Sequence, residues 1–393
     1  MKRLLLAGGV AFAASLLATA GHAQGTIKIG LIMPYSGQFA DAATQMDDGI
    51  KLYLKQHGDK LGGMKVEIIR KDVGGINPPV AKRLAQELVT RDNVDILAGF
   101  VLTPNALAAA DVSAEAKKFM VVMNAATAII TTKSPYMART SLTVPQLTQT
   151  LGTWAEKHGL KQAYTMVTDY GPGIDAEKGF QNGFKAAGGT IVGSVRMAVQ
   201  NPDFTAYVQR AKDLNPPGIF VMIPGGAQPG AFGKALAQVG VDPKKTEVMG
   251  QLEIADEHAL ASMGDVAIGI ITCGHYDTNH HSKLNEEFVK EYDADFKRNP
   301  DFFSVGGYDG MHLIDIALKK AGGKTDGQSL IDGAKGASWE SPRGPISIDP
   351  ETRDIIQTVY IRKVEKVGGR LVNVEIAAIP NVKDPVKEAM MKK

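Results

Sequence analysis

Apolar and polar residues alternate along the chain in blocks that predict strands followed by helices. Residues 27–33 form a run rich in β-branched side chains, typical of a strand buried on both faces, and residues 94–100 predict a second strand. Between them, apolar residues recur at helical spacing in 42–57 and 79–91. A strand at 119–123 extends the series. Crossovers of this length favour parallel pairing and therefore predict an α/β fold.

A second series of alternating elements begins after the segment 143–145. The pattern predicts helices at 146–158, 176–187, 204–214 and 231–239, and strands at 163–168, 191–199, 218–223, 247–252 and 267–273. Two long helices, 283–298 and 305–321, then follow one another, before two last strands at 345–348 and 355–364 and a charged tail. Two α/β blocks without a flexible linker predict two lobes joined by several crossings of the chain.

The first 23 residues predict a removable export signal. Lys2 and Arg3 precede an apolar stretch at 4–20, and small residues up to Ala23 offer a cleavage site. A membrane anchor is disfavoured because a bilayer span needs about 20 strongly apolar residues and this stretch is short and broken by glycines. We therefore expect the mature chain to begin near Gln24 and to work outside the cytoplasm.

Composition narrows the functional classes further. A chain of 393 residues is too long for one core and suits two domains. A formal net charge of +2 gives no electrostatic reason to expect a nucleic-acid partner. Cys273 is the only cysteine in the sequence, so no intramolecular disulfide can form. Its apolar surroundings predict a buried and inert thiol.

One motif resembles a dinucleotide-binding fingerprint. Residues 171–176 read GPGIDA, a GxGxxA pattern between a predicted strand and a predicted helix. Such a site also needs an acid at the end of the next strand, and residues 191–199 carry none. Pro172 moreover lacks an N–H that could face a phosphate. We interpret the motif as a tight turn and predict no cofactor.

A histidine-rich segment is the other candidate for chemistry. His275, His280 and His281 cluster with Asp277, which could suit a metal, but the fixed helical spacing of persuasive zinc sites is missing. A polar crossover loop is favoured and no metal site is predicted. The sequence contains neither a Gly-x-Ser-x-Gly elbow nor a phosphate-binding Gly-x-x-x-x-Gly-Lys-Ser/Thr loop. We therefore do not expect an enzyme.

The ends of the predicted strands carry small hydrogen-bonding groups. Four such loops stand out: 34–37, 101–105, 124–127 and 169–171. Ligands of open parallel sheets bind at the carboxyl ends of the strands. Thr103 precedes a helix, so its hydroxyl and the free backbone N–H groups could bind an anion, or the hydroxyl could simply cap the helix. Both explanations remain open.

Five segments of the chain, in this order and spacing, resemble a known family. They are 27–37 (IKIGLIMPYSG), 98–103 (AGFVLT), 124–127 (NAAT), 169–173 (DYGPG) and 248–250 (VMG). The family is that of the type I periplasmic binding proteins of the Leu/Ile/Val ABC-transporter class. The resemblance implies two Rossmann-like parallel-sheet lobes joined by three crossovers, which close on a small molecule and deliver it to a membrane permease driven by a cytoplasmic ATPase.

The resemblance also implies bounds and partners. Lobe 1 would comprise 26–144 and 276–349, lobe 2 would comprise 145–275 and 350–380, and 381–393 would form a C-terminal tail. Hinge closure would occur at 143–145, 273–277 and 349–354. The expected ligand is a small carboxylate, and the protein is expected to be a monomer.

Family positions that hold the ligand carboxylate match Leu102, Thr103 and the segment from Ala125 to Thr127. Tyr170 matches a tyrosine of the second lobe, and Phe303 falls where an aromatic side chain lines the pocket.

Two departures from the family pattern bear on the ligand. Amino-acid binders place an acid where this chain has Leu252, and Glu253, as a strand neighbour, is expected to face the other way. Ala42 replaces an expected tyrosine, which leaves space for a larger ligand. An unpaired buried ammonium would be costly. The sequence therefore favours a carboxylate without an α-amino group, such as a benzoate or a hydroxycinnamate.

Candidate contacts follow from this hypothesis, although each aromatic residue could equally pack in a core. Ring contacts are expected from Tyr35, Phe39, Tyr170, Tyr276 and Phe303, and contacts to a ring hydroxyl from Gln228, Gln251 and His275. The alternative within the family is a branched-chain amino acid or amide, with Glu253 pairing the ammonium. A sensing role is a further alternative, but a receptor is expected to carry an attached signalling segment.

Overall fold

The computed structural model describes residues 25–392. The predicted export signal and its cleavage site lie outside the described residues. No helix within 25–392 is both long enough and apolar enough to cross a bilayer. Strands and helices alternate as the sequence predicts, and they form two separate sheets.

The first sheet has six strands. They are β1 (Thr26–Met33), β2 (Lys60–Leu61), β3 (Met64–Asp72), β4 (Ile96–Gly99), β5 (Phe119–Val122) and β6 (Met137–Arg139). Their order is β2-β3-β1-β4-β5-β6, and every pair except β2–β3 is parallel. The strand order reverses at β1, so a crevice opens at the carboxyl ends of β1 and β4.

The second sheet has nine strands. They are β7 (Gln162–Thr168), β8 (Thr190–Met197), β9 (Gly218–Met222), β10 (Glu247–Gln251), β11 (Ile271–Gly274), β12 (Ser338–Ser341), β13 (Gly344–Ile348), β14 (Ile355–Val367) and β15 (Arg370–Val382). The strands β8-β7-β9-β10-β11 are parallel, while β14 joins β11, β13 and β15 by antiparallel pairing. The order reverses at β7, which places a second crevice at the ends of β7 and β9.

Twelve α-helices in the described part of the chain cover the faces of the two sheets. They are α1 (Ala40–Gln56), α2 (Pro78–Thr90), α3 (Thr103–Ala116), α4 (Val144–Lys157), α5 (Gly171–Ala186), α6 (Phe204–Leu214), α7 (Gln228–Val239), α8 (Glu257–Met263), α9 (Lys283–Phe296), α10 (Phe302–Lys320), α11 (Gly327–Ala334) and α12 (Pro385–Met391). Because both faces are covered, the inner strands are continuous apolar runs. In β1, for example, Ile27, Ile29 and Leu31 are all fully buried.

The β12–β13 hairpin contacts both halves of the molecule. Trp339 on β12 donates its Nε1–H to Oδ1 of Asp309 on α10, at 3.0 Å, and α10 packs on the first sheet. Ser347 and Ile348 on β13, however, pair with the start of β14 in the second sheet. The proposed lobe bounds, 26–144 with 276–349 and 145–275 with 350–380, therefore remain a prediction.

The C-terminal part is more regular than the sequence pattern suggests. Residues 370–382, for which no strand is predicted, form the long edge strand β15, and the predicted charged tail contains α12. Lys387 on α12 is buried and contacts Asp354 and Thr131. This helix is therefore fixed to the region where the chain crosses between the sheets.

Candidate functional site

The carboxyl ends of the two sheets face each other across a cleft of about 710 Å³, including its opening to solvent. The loops after β1, β4 and β5 form one wall, and those after β7, β9 and β10 form the other. Of the predicted site residues, six line the cleft: Phe39, Leu102, Thr103, Tyr170, Gln251 and Phe303. Ala42 also lines it, which agrees with the space expected from the missing tyrosine.

Two helix N-termini from opposite walls converge at one end of the cleft. α3 begins at Thr103 and α5 begins at Gly171. Their N-cap residues, Leu102 and Tyr170, make no capping hydrogen bond through their side chains. The hydroxyls of Thr103 and Thr127 lie 3.2 Å apart. A Cβ atom at Gly171 would lie 3.2 Å from Oγ1 of Thr127. Free N–H groups and the Thr103 hydroxyl, which accepts from Thr127 and can itself donate to a ligand, therefore favour an anion at this end.

A buried arginine holds the loop that carries Thr127. Nη1 of Arg139 donates to the carbonyl oxygens of Ala125 and Thr127 at 3.0 and 2.9 Å. Its guanidinium is fully buried and pairs with Asp354, with Nη2 2.7 Å from Oδ1. Ala125 is itself buried and outside the cleft lining, where its neighbour Ala126 takes part. Thr127 also lies outside the lining, so within the predicted segment Ala126 borders the cleft directly, and Thr127 acts through its contact with Thr103.

Two phenylalanines narrow the middle of the cleft. Phe39 ends a 3-10 turn before α1, and Phe303 lies in the first turn of α10. A capping box fixes that turn, because the N–H of Ser304 donates to Asp301 at 2.9 Å and Oγ of Ser304 accepts from the N–H of Asp301 at 3.1 Å. Both rings are 6% exposed. They offer apolar faces to a flat ligand.

Another part of the cleft is acidic, and here one sequence expectation is wrong. Glu253 lines the cleft, whereas Leu252 is buried in the core. The sequence analysis treats both as strand residues on opposite faces. In the structure β10 ends at Gln251 and residues 252–255 form a 3-10 turn, so the alternation of a strand does not apply. Nε2 of Gln251 donates to Oε2 of Glu253 at 3.0 Å.

Burial changes the acid–base properties of this end. It raises the pKa of Glu253 to about 7 and that of Asp256 to about 7. The pKa of Asp301 rises to about 8 for the same reason. Desolvation, followed by the nearby Glu253 carboxylate, raises the pKa of Tyr170 well above its usual value. An anionic group of a ligand is therefore disfavoured beside Glu253 and favoured at the helix N-termini.

Tyr35 and Gln228 lie outside the cleft lining. The Tyr35 hydroxyl turns toward α1 and lies 3.5 Å from Oδ1 of Asp47. Gln228 is the first residue of α7, and its Nε2 donates to the carbonyl oxygen of Val199 at 2.9 Å. Position at a strand end does not determine the direction of a side chain, and here both point to neighbouring elements.

His275 and Tyr276 are buried behind the cleft, one strand beyond β10. The His275 ring lies 6.2 Å from the ring of Phe302, and burial lowers its pKa well below the usual value, helped by Arg343 and Arg362. Tyr276 is 1% exposed and lines a separate small cavity. Neither side chain lines the cleft.

The GPGIDA motif at 171–176 and the histidine-rich segment at 275–281 make contacts that support the fold. Gly173 lets α5 start close to β7, because a Cβ atom there would collide with the carbonyl oxygen of Thr168. Nδ1 of His280 lies 2.8 Å from Oε1 of Glu375, and Asp277 pairs with Arg362 at 3.2 Å. Cys273 is buried, which raises its thiol pKa to about 12. Residues 25–392 contain no cluster of three or more potential metal ligands.

Sequence reasoning missed several residues of the cleft. They are Gln38, Asp41, Val144, Pro172, Met222, Pro224, Gly225, Gly226, Asp256, His258 and Asp301. The strand-end rule could have found Pro224, Gly225 and Gly226, which directly follow the predicted strand at 218–223. Asp256 and Asp301 each occupy a position typical of a helix N-cap in the sequence, and that pattern does not indicate whether the residue lines a cleft.

The two walls approach one another at several points. The close approach of Gly171 to Thr127 is one. A Cβ atom at Gly226 would lie 2.9 Å from the carbonyl oxygen of Gln38. The N–H of Ala128 donates to Oδ2 of Asp175 on α5 at 2.9 Å. The structure therefore has the cleft in a closed arrangement.

Comparison with known proteins shows the family to which this chain belongs. A family model described as periplasmic binding protein matches residues 26–369. The Leu/Ile/Val-binding protein homolog 6 of Brucella abortus (strain 2308) is 40% identical over 389 residues, which cover 98% of this chain and 99% of that protein.

Two solved structures are similar over nearly their whole length. A solute-binding protein of an ABC transporter from Rhodopseudomonas palustris BisB5, in complex with 3,4-dihydroxybenzoic acid, is 50% identical, with a TM-score of 0.89 and coverage of 92% of this chain and 99% of that one. A second solute-binding protein from R. palustris, in complex with 4-hydroxybenzoate, is 40% identical, with a TM-score of 0.89 and coverage of 94% and 100%. The predicted resemblance is confirmed: this chain belongs to the periplasmic binding protein family.

Proposed function

We propose that the protein is the periplasmic substrate-binding component of an ABC importer and that it captures an aromatic carboxylic acid of the benzoate or hydroxycinnamate type. The observation that carries this proposal is the convergence of two uncapped helix N-termini on the Thr103–Thr127 hydroxyl pair, beside two phenylalanine rings. A carboxylate fits the helix end, and a flat ring suits the apolar surface that the two phenylalanines offer. The aromatic acids bound to the similar R. palustris proteins support the same class of ligand.

In this mechanism the two lobes close around the acid and hold it until they reach the permease. Contacts from both walls stabilise the closed form, because Thr103 and Thr127 lie on one lobe and the N-terminus of α5 lies on the other. Hinge motion is assigned to 143–145, 273–277 and 349–354. The protein acts by binding rather than by catalysis, and its partners are the permease and the ATPase of the importer.

One observation favours a second candidate, a branched-chain amino acid. Glu253 lines the cleft and could pair an ammonium group, and the B. abortus relative is named a Leu/Ile/Val-binding protein homolog. The sequence similarity to proteins bound to hydroxylated benzoates, at 50% and 40%, favours the aromatic acid.

A thermal-shift experiment separates these candidates. We expect 4-hydroxybenzoate or coumarate to raise the melting temperature by several degrees, and leucine to leave it unchanged. A ligand at 100 times its Kd stabilises the native state by about 2.7 kcal/mol, which corresponds to several degrees for domains of this size. A shift with leucine and none with any aromatic acid would reject the aromatic assignment.

Replacing either threonine with isosteric valine should weaken the binding of 4-hydroxybenzoate. Thr103→Val and Thr127→Val each remove one hydroxyl from the carboxylate end, and we expect a loss of about 1–3 kcal/mol, or about 5- to 150-fold in Kd by calorimetry. Thr90→Val, on the exposed end of α2, is the matched control and should leave Kd unchanged. Unchanged affinity in both cleft variants would place the carboxylate elsewhere.

A further inference from the structure

The acidic end of the cleft contains an acceptor with no partner in the protein. Gln251 is 1% exposed and lines the cleft. Its Nε2 donates to Glu253, but its Oε1 has no hydrogen-bond partner among residues 25–392. Buried side-chain oxygens are normally hydrogen-bonded, so a lone acceptor beside a binding cleft points to a donor supplied by a ligand.

Local geometry fixes the orientation of this pair. Gln251 is the last residue of β10, and Gly250 before it has no room for a side chain, because a Cβ atom would collide with the carbonyl oxygen of Val221 on β9. Glu253 is in the 3-10 turn that follows. Gly225 approaches both Glu253 and Phe303, since its Cβ position lies 3.9 Å from Cγ of Glu253 and 3.9 Å from Cζ of Phe303. The pair thus lies at the edge of the aromatic part of the cleft.

The pair and the carboxylate end belong to different strands of the second sheet. Gly171, which approaches Thr127, follows β7, whereas Gln251 ends β10, and β9 lies between these strands. Two strand spacings separate the strand ends by roughly 10 Å. A flat acid whose carboxylate lies at the helix N-termini would therefore extend its ring toward Gln251 and Glu253.

We propose that Gln251 and Glu253 are specificity-determining residues that bind a hydroxyl group on the ring edge opposite the ligand carboxylate. The inference rests on the proposed function and deepens it, because it selects hydroxylated benzoates over unsubstituted ones. The ligand hydroxyl donates to Oε1 of Gln251, and its oxygen accepts from the protonated carboxyl of Glu253. Burial favours that protonated form, since it raises the pKa of Glu253 to about 7.

The neighbouring acids are already engaged in the protein. Asp256 accepts the backbone N–H of Ala259 at 2.7 Å as the N-cap of α8. Asp301 accepts that of Ser304 as the N-cap of α10. Glu253 accepts one side-chain hydrogen bond, from Gln251, and caps no helix. It is therefore the acid best placed to meet a ligand group.

The test compares two ligands of the same shape that differ in one donor. Calorimetric Kd values are measured for 4-hydroxybenzoate, 4-methylbenzoate and benzoate with the full-length mature protein. The wild type should bind 4-hydroxybenzoate at least about tenfold more tightly than 4-methylbenzoate, as expected for a site built to pair a substrate hydroxyl. Gln251→Met and Glu253→Leu should each reduce that ratio to below about threefold.

Glu257→Gln is the matched control, because it removes a carboxylate four residues away that does not line the cleft. Its ratio should equal that of the wild type. The inference is overturned if the wild type binds 4-hydroxybenzoate and 4-methylbenzoate equally well, a result that does not depend on the folding of any variant. It is also overturned if Gln251→Met and Glu253→Leu both keep the wild-type ratio of the two Kd values. Failure of all three benzoates and of coumarate to bind would instead overturn the proposed function, and the inference with it.

Discussion

Replacing Asp309 with alanine is expected to lower the free energy of unfolding by about 3–5 kcal/mol, since it leaves a buried guanidinium without its counter-ion. Asp309 and Arg343 are fully buried, and Nη2 lies 2.9 Å from Oδ2. Asp309 also accepts hydrogen bonds from Trp339 at 3.0 Å and from Ser341 at 2.9 Å. Alanine would therefore also leave the Trp339 and Ser341 donors without their acceptor.

The same ion pair connects α10 to the crossings between the lobes. Arg343 donates to the carbonyl oxygens of Thr140 and Ser141, which precede α4, and to Oε1 of Gln357 on β14 at 2.8 Å. Loss of Asp309 should thus loosen the hinge region as well as the core. Equilibrium denaturation in urea measures the first effect, and amide hydrogen exchange around 140–145 measures the second.

Two further variants make this prediction specific. Asp332→Ala removes an exposed carboxylate that pairs with Lys335 on the surface, and it should cost no more than about 1 kcal/mol. The double variant Asp309→Leu with Arg343→Met removes both charges, and it should lose less stability than the sum of the two single variants. A loss below about 1 kcal/mol for Asp309→Ala would show that the pair contributes little.

The helices and strands could be predicted from the sequence because burial of one face of an element makes its apolar residues recur at a regular spacing. The predicted helix at 204–214 coincides with α6, and the strand at 163–168 coincides with β7 to within one residue. Where the period is weak, the prediction fails. α5 begins at Gly171 rather than at 176, since its first turn, with Pro172 and Gly173, has few apolar side chains to mark it.

The candidate site could be predicted as a set of loops but not as a set of side chains. The strand-end rule correctly places Thr103 and Tyr170 on the cleft, because it depends only on topology. The direction of a side chain depends on a few backbone angles, and the pattern of apolar and polar residues does not reveal these angles. Glu253 therefore turns into the cleft on a 3-10 turn, and His275 is buried behind it.

Replacing Gly171 with leucine is expected to have the largest effect on binding, because it should keep the lobes from closing. A Cβ atom alone would lie 3.2 Å from Oγ1 of Thr127 and 3.9 Å from Cγ2 of Thr103. Leucine adds three further carbons at this crowded position, where Gly171 of one wall meets Thr103 and Thr127 of the other. We expect the affinity for 4-hydroxybenzoate to fall by more than tenfold, and by about 100-fold if the steric cost reaches about 3 kcal/mol.

A graded series distinguishes closure from a general defect. Gly171→Ala adds one carbon that a shift of a few tenths of an ångström can accommodate, so its loss of affinity should be several-fold at most. Lys178→Leu, on the exposed face of the same helix, should bind normally. The unliganded melting temperature of Gly171→Leu should remain close to that of the wild type, because opening the cleft relieves the clash without disturbing either core.

Small-angle scattering then reports the motion itself. The wild type should become more compact when 4-hydroxybenzoate is added, whereas Gly171→Leu should keep the scattering profile of its unliganded form. Wild-type affinity in Gly171→Leu would mean that the ligand binds without contact between α5 and Thr127, since leucine and that contact cannot coexist. The closed arrangement would then not be the liganded state, and the carboxylate end would have to be assigned to one lobe alone.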